Sequence, residues 1–130
     1  NILVNTNKEI CYLGHKNALK NYLDLEDNIE LMELNKQSDL KKYIEILGFK
    51  KLLDINVANL SYGQQKKLAL LRLFLNKSDL IVLDEPLVGL DRETQEILNN
   101  FLVDQLNKNK AVIYTSHISC PIDSKELLLK

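Results

Sequence analysis

The sequence predicts an α/β fold: a mostly parallel sheet with helices on its faces and a helical insertion. Three observations carry this. In the second half, strand-length apolar runs alternate with amphipathic helical stretches, in the order helix, strand, helix, strand, strand. From about Asn21 to Leu75, one helical pattern follows another, which marks the insertion. Leu80 to Leu83 is a continuous apolar run, as expected of a strand buried on both faces. With 130 residues and 45% apolar side chains, the expectation is a single domain over 1–130 with one core.

Taken in order, Ile2 to Val4 and Ile10 to Leu13 read as strands. Asp24 is a candidate N-cap for a helix through Leu34, with acidic residues in its first turn. Ser38 is the candidate cap of another, with Leu40, Tyr43, Ile44 and Leu47 on one face and Gly48 at its end. Ser61 to Gln64 matches the capping box S-x-x-Q, and the helix it opens carries Leu68, Leu71, Phe74 and Leu75 on one stripe. Asp91 caps a helix with Ile97, Leu98, Phe101, Leu102 and Leu106 on its inner face. Ala111 to Thr115 and Leu127 to Leu129 complete the strands.

Composition excludes several classes. Seventeen basic and eighteen acidic side chains leave a net charge of -1, which argues against a nucleic-acid module and a polybasic membrane tail. No apolar run has bilayer length; the longest, Leu68 to Leu75, is broken by Arg72. Cys11 and Cys120 make no disulfide framework and read as packing thiols in a reducing compartment. No signal-peptide pattern is visible, and the sequence opens on Asn1 rather than Met, consistent with a piece of a longer chain.

Three stretches carry chemistry. Leu80-Ile81-Val82-Leu83-Asp84-Glu85-Pro86 is a buried strand ending in two carboxylates. In an open parallel sheet, ligands sit at the C-terminal strand ends. There one carboxylate would hold Mg²⁺, and its neighbour would orient or deprotonate water attacking a phosphoryl group. The plainer alternative is a strand that exits to solvent through two acids and a proline. In Leu60-Ser61-Tyr62-Gly63-Gln64-Gln65, a first-turn glycine weakens the helix yet lets a phosphate approach the backbone, where N–H groups, the helix dipole and the Ser61 hydroxyl form an anion site. Lys66 and Lys67 would assist electrostatically; the alternative is an ordinary capped helix whose basic pair is a solvated face. Ile113-Tyr114-Thr115-Ser116-His117 leads a strand into a histidine, which would lie on the same sheet edge as Asp84 and Glu85 or serve structure alone.

In this order and spacing the sequence resembles the ATP-binding subunits of ABC transporters, over nearly its whole length. Leu60 to Gln64 (LSYGQ) resembles the family's signature LSGGQ, Leu80 to Pro86 (LIVLDEP) is a full Walker B, Val88-Gly89-Leu90-Asp91 resembles the D-loop, and His117 is similar in position to the switch histidine. Tyr12-Leu13-Gly14-His15 stands where most of the family has a Q-loop. With the Gly63-Gln64-Gln65 of the signature and the short stretch after His117, it is similar to the haem-exporter ATPases of cytochrome c maturation.

The resemblance implies a partial ABC-type P-loop NTPase domain, with ATP and Mg²⁺ as cofactors. It implies a head-to-tail dimer with a second ATPase subunit, integral membrane transporter subunits as partners, no nucleic acid, and a peripheral position on the cytoplasmic face of the inner membrane. Ser61, Gly63 and Gln64 would contact the nucleotide held by the second subunit. Asp84 would bind Mg²⁺ through water, Glu85 would be the general base, and His117 would brace the γ-phosphate and attacking water. Asp91 would couple the two sites, and His15 would link nucleotide to the membrane partner.

Two departures stand out. No G-x-x-x-x-G-K-[ST] occurs, although the family's phosphate cradle lies upstream of the Q-loop; the expectation is therefore an N-terminally incomplete chain, inactive by itself. His15 stands in place of the Q-loop glutamine. The ATPase of another ABC transporter, a non-transport ABC protein and a non-catalytic partial module are the rival readings.

Overall fold

The computed structural model describes residues 10–14, 17–75 and 77–116. Strands β1 (Ile10–Leu13), β2 (Leu80–Asp84) and β3 (Ala111–Thr115) form a parallel sheet in the order β1-β2-β3. Helices α1 (Leu25–Leu31), α2 (Leu40–Ile46) and α3 (Tyr62–Leu75), with a 3₁₀ turn at Val57–Asn59, lie between β1 and β2; α4 (Arg92–Asn107) lies between β2 and β3. The α/β class and the parallel sheet are thus as the sequence predicts. The expected strands at Ile2 to Val4 and Leu127 to Leu129 fall outside the described residues, as do His15, His117 and Cys120.

Register fixes what each face of the sheet presents. Cys11, Ile81 and Val112 form one row and Leu13, Leu83 and Tyr114 the next. Side chains alternate across a strand, so both rows share a face, and α3 packs on β1 while α4 packs on β3. Cys11 is buried, as a packing thiol should be. The opposite face carries the row Tyr12, Val82 and Ile113, with Tyr12 57% and Ile113 58% exposed. The expectation that β2 is buried on both faces is therefore corrected. Ile81 and Leu83 are buried, but Leu80 and Val82 are half-buried. An unbroken apolar run reports the tolerance of both faces for burial, not their coverage.

Helix boundaries differ from the pattern in instructive ways. Asp24 caps α1 as expected, accepting from the Asp27 N–H at 2.7 Å, but the helix stops at Leu31 rather than Leu34. Glu33 adopts φ 59° and the Leu34 N–H returns to the Ile29 carbonyl at 3.1 Å, which tucks the Leu34 side chain into the core. In α2 the N-cap is Asp39, with no side-chain cap bond, instead of Ser38; Gly48 ends the segment at φ 77°, as its position predicts.

In α3 the single stripe is an underestimate. Ala69, Leu70 and Leu73 are as buried as Leu68 and Leu71, so the helix is enclosed nearly all round. Asp91 caps α4, whose buried face is Thr94, Leu98, Leu102 and Gln105; Ile97 and Phe101 pack at its margin, and Leu106 is exposed. Tyr43 stacks on Phe74 at 4.9 Å, and Phe74 meets Phe101 edge-on at 5.0 Å, which joins α2, α3 and α4 in one core.

Candidate active site

Parallel pairing brings the C-terminal ends of β2 and β3 side by side, with Asp84 opposite Thr115. The Thr115 hydroxyl donates to Asp84 Oδ1 at 2.7 Å. The next residue, Glu85, leaves the strand at φ 47°, a left-handed conformation that costs a non-glycine residue about 1–3 kcal/mol unless its surroundings hold it. They do so from both sides. The Glu85 N–H donates to the Thr115 carbonyl at 3.0 Å and to Thr115 Oγ1 at 3.1 Å. The Glu85 carbonyl accepts from Lys66 Nζ at 2.9 Å and from the Val88 N–H at 3.3 Å. Asp84 and Glu85 are half-buried where the sheet opens to solvent.

The N-terminus of α3 approaches the same loop. Its capping box closes as predicted: the Gln64 N–H donates to Ser61 Oγ at 3.1 Å, and the Ser61 N–H donates to Gln64 Oε1 at 2.9 Å. The box thus uses the Ser61 oxygen as an acceptor and leaves the hydroxyl hydrogen for another partner. Tyr62 and Gly63 supply the remaining first-turn N–H groups at the positive end of the helix. Gly63 has a packing role beside the expected one. A Cβ there would sit 3.2 Å from the Gly89 carbonyl, so the glycine permits close approach of the 85–91 loop. Gly89 itself has φ 80°, and a Cβ on it would clash with the Tyr62 ring.

Two lysines complete the seam. Lys67 Nζ pairs with Asp91 Oδ2 at 3.1 Å, while Asp91 Oδ1 accepts from the Thr94 N–H at 2.8 Å. The Thr94 hydrogen bonds, with Lys67 assisting, pull the Asp91 carboxyl down to about 2. Lys66 is buried, which removes the solvated-face alternative for it. Burial pushes its ammonium pKa down, and the nearby Glu85 and Asp84 oppose that shift. Sequence reasoning offered Lys66 as an electrostatic aid without foreseeing its burial, and missed Thr115 as a member of this site. The signal for Lys66 was its helical spacing from Leu70 and Leu73, which puts it on an enclosed face; for Thr115 it was the strand register.

The structure therefore gathers Ser61, Gly63, Gln64, Asp84, Glu85 and Asp91 around one seam between the α3 N-terminus and the β2–α4 loop. His15 and His117 follow the ends of β1 and β3 in sequence and lie outside the described residues. A cleft of about 430 Å³, lined by Tyr43, Phe74, Phe101 and Lys108 among others, opens near the N-terminal ends of β2 and β3 and shares no residue with the seam.

Comparison with known proteins gives the family and the fold. Residues 2–88 match the family described as ABC transporter. The chain belongs to that family. The ABC relatives it resembles include the cytochrome c biogenesis ATP-binding export protein CcmA of Gluconobacter oxydans, 35% identical over 116 residues, covering 89% of this chain and 55% of that protein. The protein of the same name from Rickettsia felis is 33% identical over 131 residues, 98% of this chain and 67% of its own length. Among solved structures, an ATP-binding subunit of an ABC transporter superimposes with TM-score 0.71 at 20% identity, over 84% of this chain and 49% of that one. A dimeric ATP-binding cassette in a post-hydrolysis state, bound to ADP and Pi, gives 0.68 at 20% identity, over 85% of this chain and 53% of its own. Both share the ABC ATPase fold. The chain thus spans a little over half the length of the first of these relatives.

Among the described residues no group of three or more histidines, cysteines or carboxylates could hold a metal by itself. Asp84 offers a half-buried carboxylate oriented by Thr115, a hard oxygen donor suited to Mg²⁺ that keeps most of its waters and phosphate ligands. The donor set fits an ion that arrives with nucleotide. No helix among the described residues is long and apolar enough to cross a membrane.

Proposed function

We propose that the chain forms part of the ATP-hydrolysing subunit of an ABC transporter serving haem export or cytochrome c biogenesis, bound peripherally to membrane subunits on the cytoplasmic face. The observation that carries the reading is the seam itself. At the end of a central parallel strand that carries two carboxylates, the Glu85 backbone carbonyl accepts from Lys66 of the helix whose capped N-terminus presents Ser61 and Gly63. The relatives named CcmA direct the choice of transporter.

In this reading Glu85 takes the proton from the water that attacks the γ-phosphorus. Asp84, held by Thr115, would hold Mg²⁺ through water. The ion, when bound, draws charge off the phosphate oxygens. Ser61, with the first-turn N–H groups and Gln64, faces the γ-phosphate held by a second ATPase subunit in a head-to-tail dimer. Asp91 shapes the loop between the two sites. His117 braces the γ-phosphate and the water, and His15 links nucleotide to the membrane partner. The G-x-x-x-x-G-K-[ST] cradle is absent from these 130 residues, so turnover is a property of a protein that supplies it alongside them.

The test uses the full-length protein with its membrane partner. Glu85→Gln should keep ATP binding and lose hydrolysis by about 10²–10⁴-fold, the scale of a missing general base. Near-normal turnover would remove Glu85 from the mechanism. Residues 1–130 alone should show no turnover above a Glu85→Gln control, and robust Mg-dependent hydrolysis would contradict the need for an external cradle. Complementation of a strain lacking its haem-exporter ATPase should restore c-type cytochromes; rescue of a different transporter defect instead would leave only the broader ABC reading.

A further inference from the structure

We propose that Lys66 is a positioning residue. It ties the Glu85 backbone, and so the point from which the Glu85 carboxylate leaves the sheet, to the second turn of the signature helix. The inference rests on the reading of Glu85 as general base.

Three observations carry it. First, Lys66 is the one charged side chain among the described residues with under a tenth of its surface exposed. It occupies a helical face that continues through Leu70 and Leu73, both fully enclosed. Packing alone would be served better by leucine or methionine, because burying an ammonium is costly unless it is hydrogen-bonded. What the lysine adds is the charge-assisted bond from Nζ to the Glu85 carbonyl at 2.9 Å.

Second, that carbonyl belongs to a non-glycine residue at φ 47°. Such a conformation persists only where the surroundings over-determine it. The Glu85 N–H is held by Thr115, which fixes it to β3. The carbonyl is held by the Val88 N–H at 3.3 Å, within the same loop, and by Lys66. Lys66 is therefore the contact that refers the left-handed turn to a different element, the helix carrying Ser61 and Gly63.

Third, the same two elements are joined twice more. Lys67 pairs with Asp91 at 3.1 Å, and Gly63 packs against the Gly89 carbonyl. The α3 N-terminus and the 85–91 loop thus behave as one body, with Lys66 at its buried centre. A shift of Ser61 and Gly63 toward an anion would be passed to Glu85 through that bond, so the residue facing one nucleotide would set the carboxylate serving another.

The experiment is a double-mutant cycle in the full-length ATPase, with kcat and KM for ATP measured per folded molecule. Lys66→Met keeps the length of the stem and removes the donor. It should lower kcat about 10–100-fold, the scale of a catalytic group displaced by about 1 Å, with KM within about twofold. Lys66→Arg keeps a charged donor and should stay within about threefold of the parent in kcat. Lys66→Gln keeps an N–H on a shorter stem, tolerates burial at least as well as lysine, and should lose kcat as methionine does. In a Glu85→Gln background, Lys66→Met should cost no more than about twofold further, because its effect runs through the absent carboxylate.

Parental kcat in Lys66→Met beside an inactive Glu85→Gln overturns the inference and leaves the reading of Glu85 intact. Equal losses in both backgrounds also overturn it, since they mark a purely structural lysine. Turnover that survives Glu85→Gln overturns the reading of Glu85 and the inference with it.

Discussion

The helical lobe between β1 and β2 and the sheet that carries the site solve the burial problem differently. In the lobe, Leu25, Phe49 and Val57 are fully enclosed, and the backbone closes on itself through Leu25 N–H to Ile55 O, Glu26 N–H to Leu53 O and Val57 N–H to Leu23 O, at 2.9–3.0 Å. Its buried polar side chain, Asn28, is hydrogen-bonded at both amide atoms. The sheet encloses one face with α3 and α4 and leaves Tyr12 and Ile113 on the other more than half exposed. Its polar edge is held by a handful of bonds around Glu85. The difference teaches where stability and chemistry are kept. The lobe satisfies its own buried groups, whereas the edge keeps Asp84 and Glu85 only partly buried. Helix α3 belongs to both: its second half is core, and its first turns are site.

Breaking the lobe should give the largest effect. Phe49 has no exposed surface and sits just past the Gly48 turn, where its N–H returns to the Ile44 carbonyl at 2.9 Å. Phe49→Ala should cost about 3–5 kcal/mol, from lost transfer energy and the cavity left behind. Urea unfolding of the full-length protein would measure it, and a loss under about 1 kcal/mol would show that the lobe is less closed than described. Asn28 is next. It accepts from the Lys20 N–H at 2.9 Å and donates to the Lys20 and Asp24 carbonyls at 3.1 and 2.9 Å, so it fastens the chain after β1 to α1. Asn28→Ala would orphan those groups and should cost about 1–3 kcal/mol. Hydrogen exchange should then accelerate at Lys20 and across α1 before it changes in β2.

The same contrast explains what was legible in the sequence. The strands at Ile10 to Leu13, Leu80 to Leu83 and Ala111 to Thr115, the Asp24 and Asp91 caps and the Ser61–Gln64 box are local signals, and each is present where the pattern puts it. The placement of Asp84 and Glu85 was legible because an apolar run followed by two acids marks the C-terminal end of a parallel strand. What escaped depends on distant partners. The left-handed Glu33 that ends α1 early exists because Leu34 finds a place in the core. The burial of Lys66 depends on a carbonyl nineteen residues away, and the role of Thr115 on a strand thirty-one residues beyond Asp84. Coverage of β2 on one face is likewise a tertiary fact that an apolar run cannot report.

The smallest effect should come from the seam that joins lobe helix to sheet loop, at Asp91. One carboxylate oxygen caps α4 through the Thr94 N–H at 2.8 Å, and the other pairs with Lys67 at 3.1 Å. The side chain is 56% exposed, so the ion pair is screened and adds little; the cap carries most of the value, about 1 kcal/mol. Asp91→Ala should lose about that much, and Asp91→Asn less, since an amide oxygen still caps. The pH dependence follows from the direction of the shift. The folded carboxyl lies near 2 against an ordinary 3.8, so the folded state favours the charged form. This stabilisation is fully present above the ordinary value and disappears as pH falls from about 4 towards 2. In Asp91→Ala that part of the acid limb should vanish, so parent and variant stabilities should converge by about pH 2 while staying apart at pH 7. Urea midpoints across that range measure it. A gap that persists unchanged at pH 2 would mean that Asp91 acts through its shape rather than its charge, and that the seam is held by Lys66 and Gly63 instead.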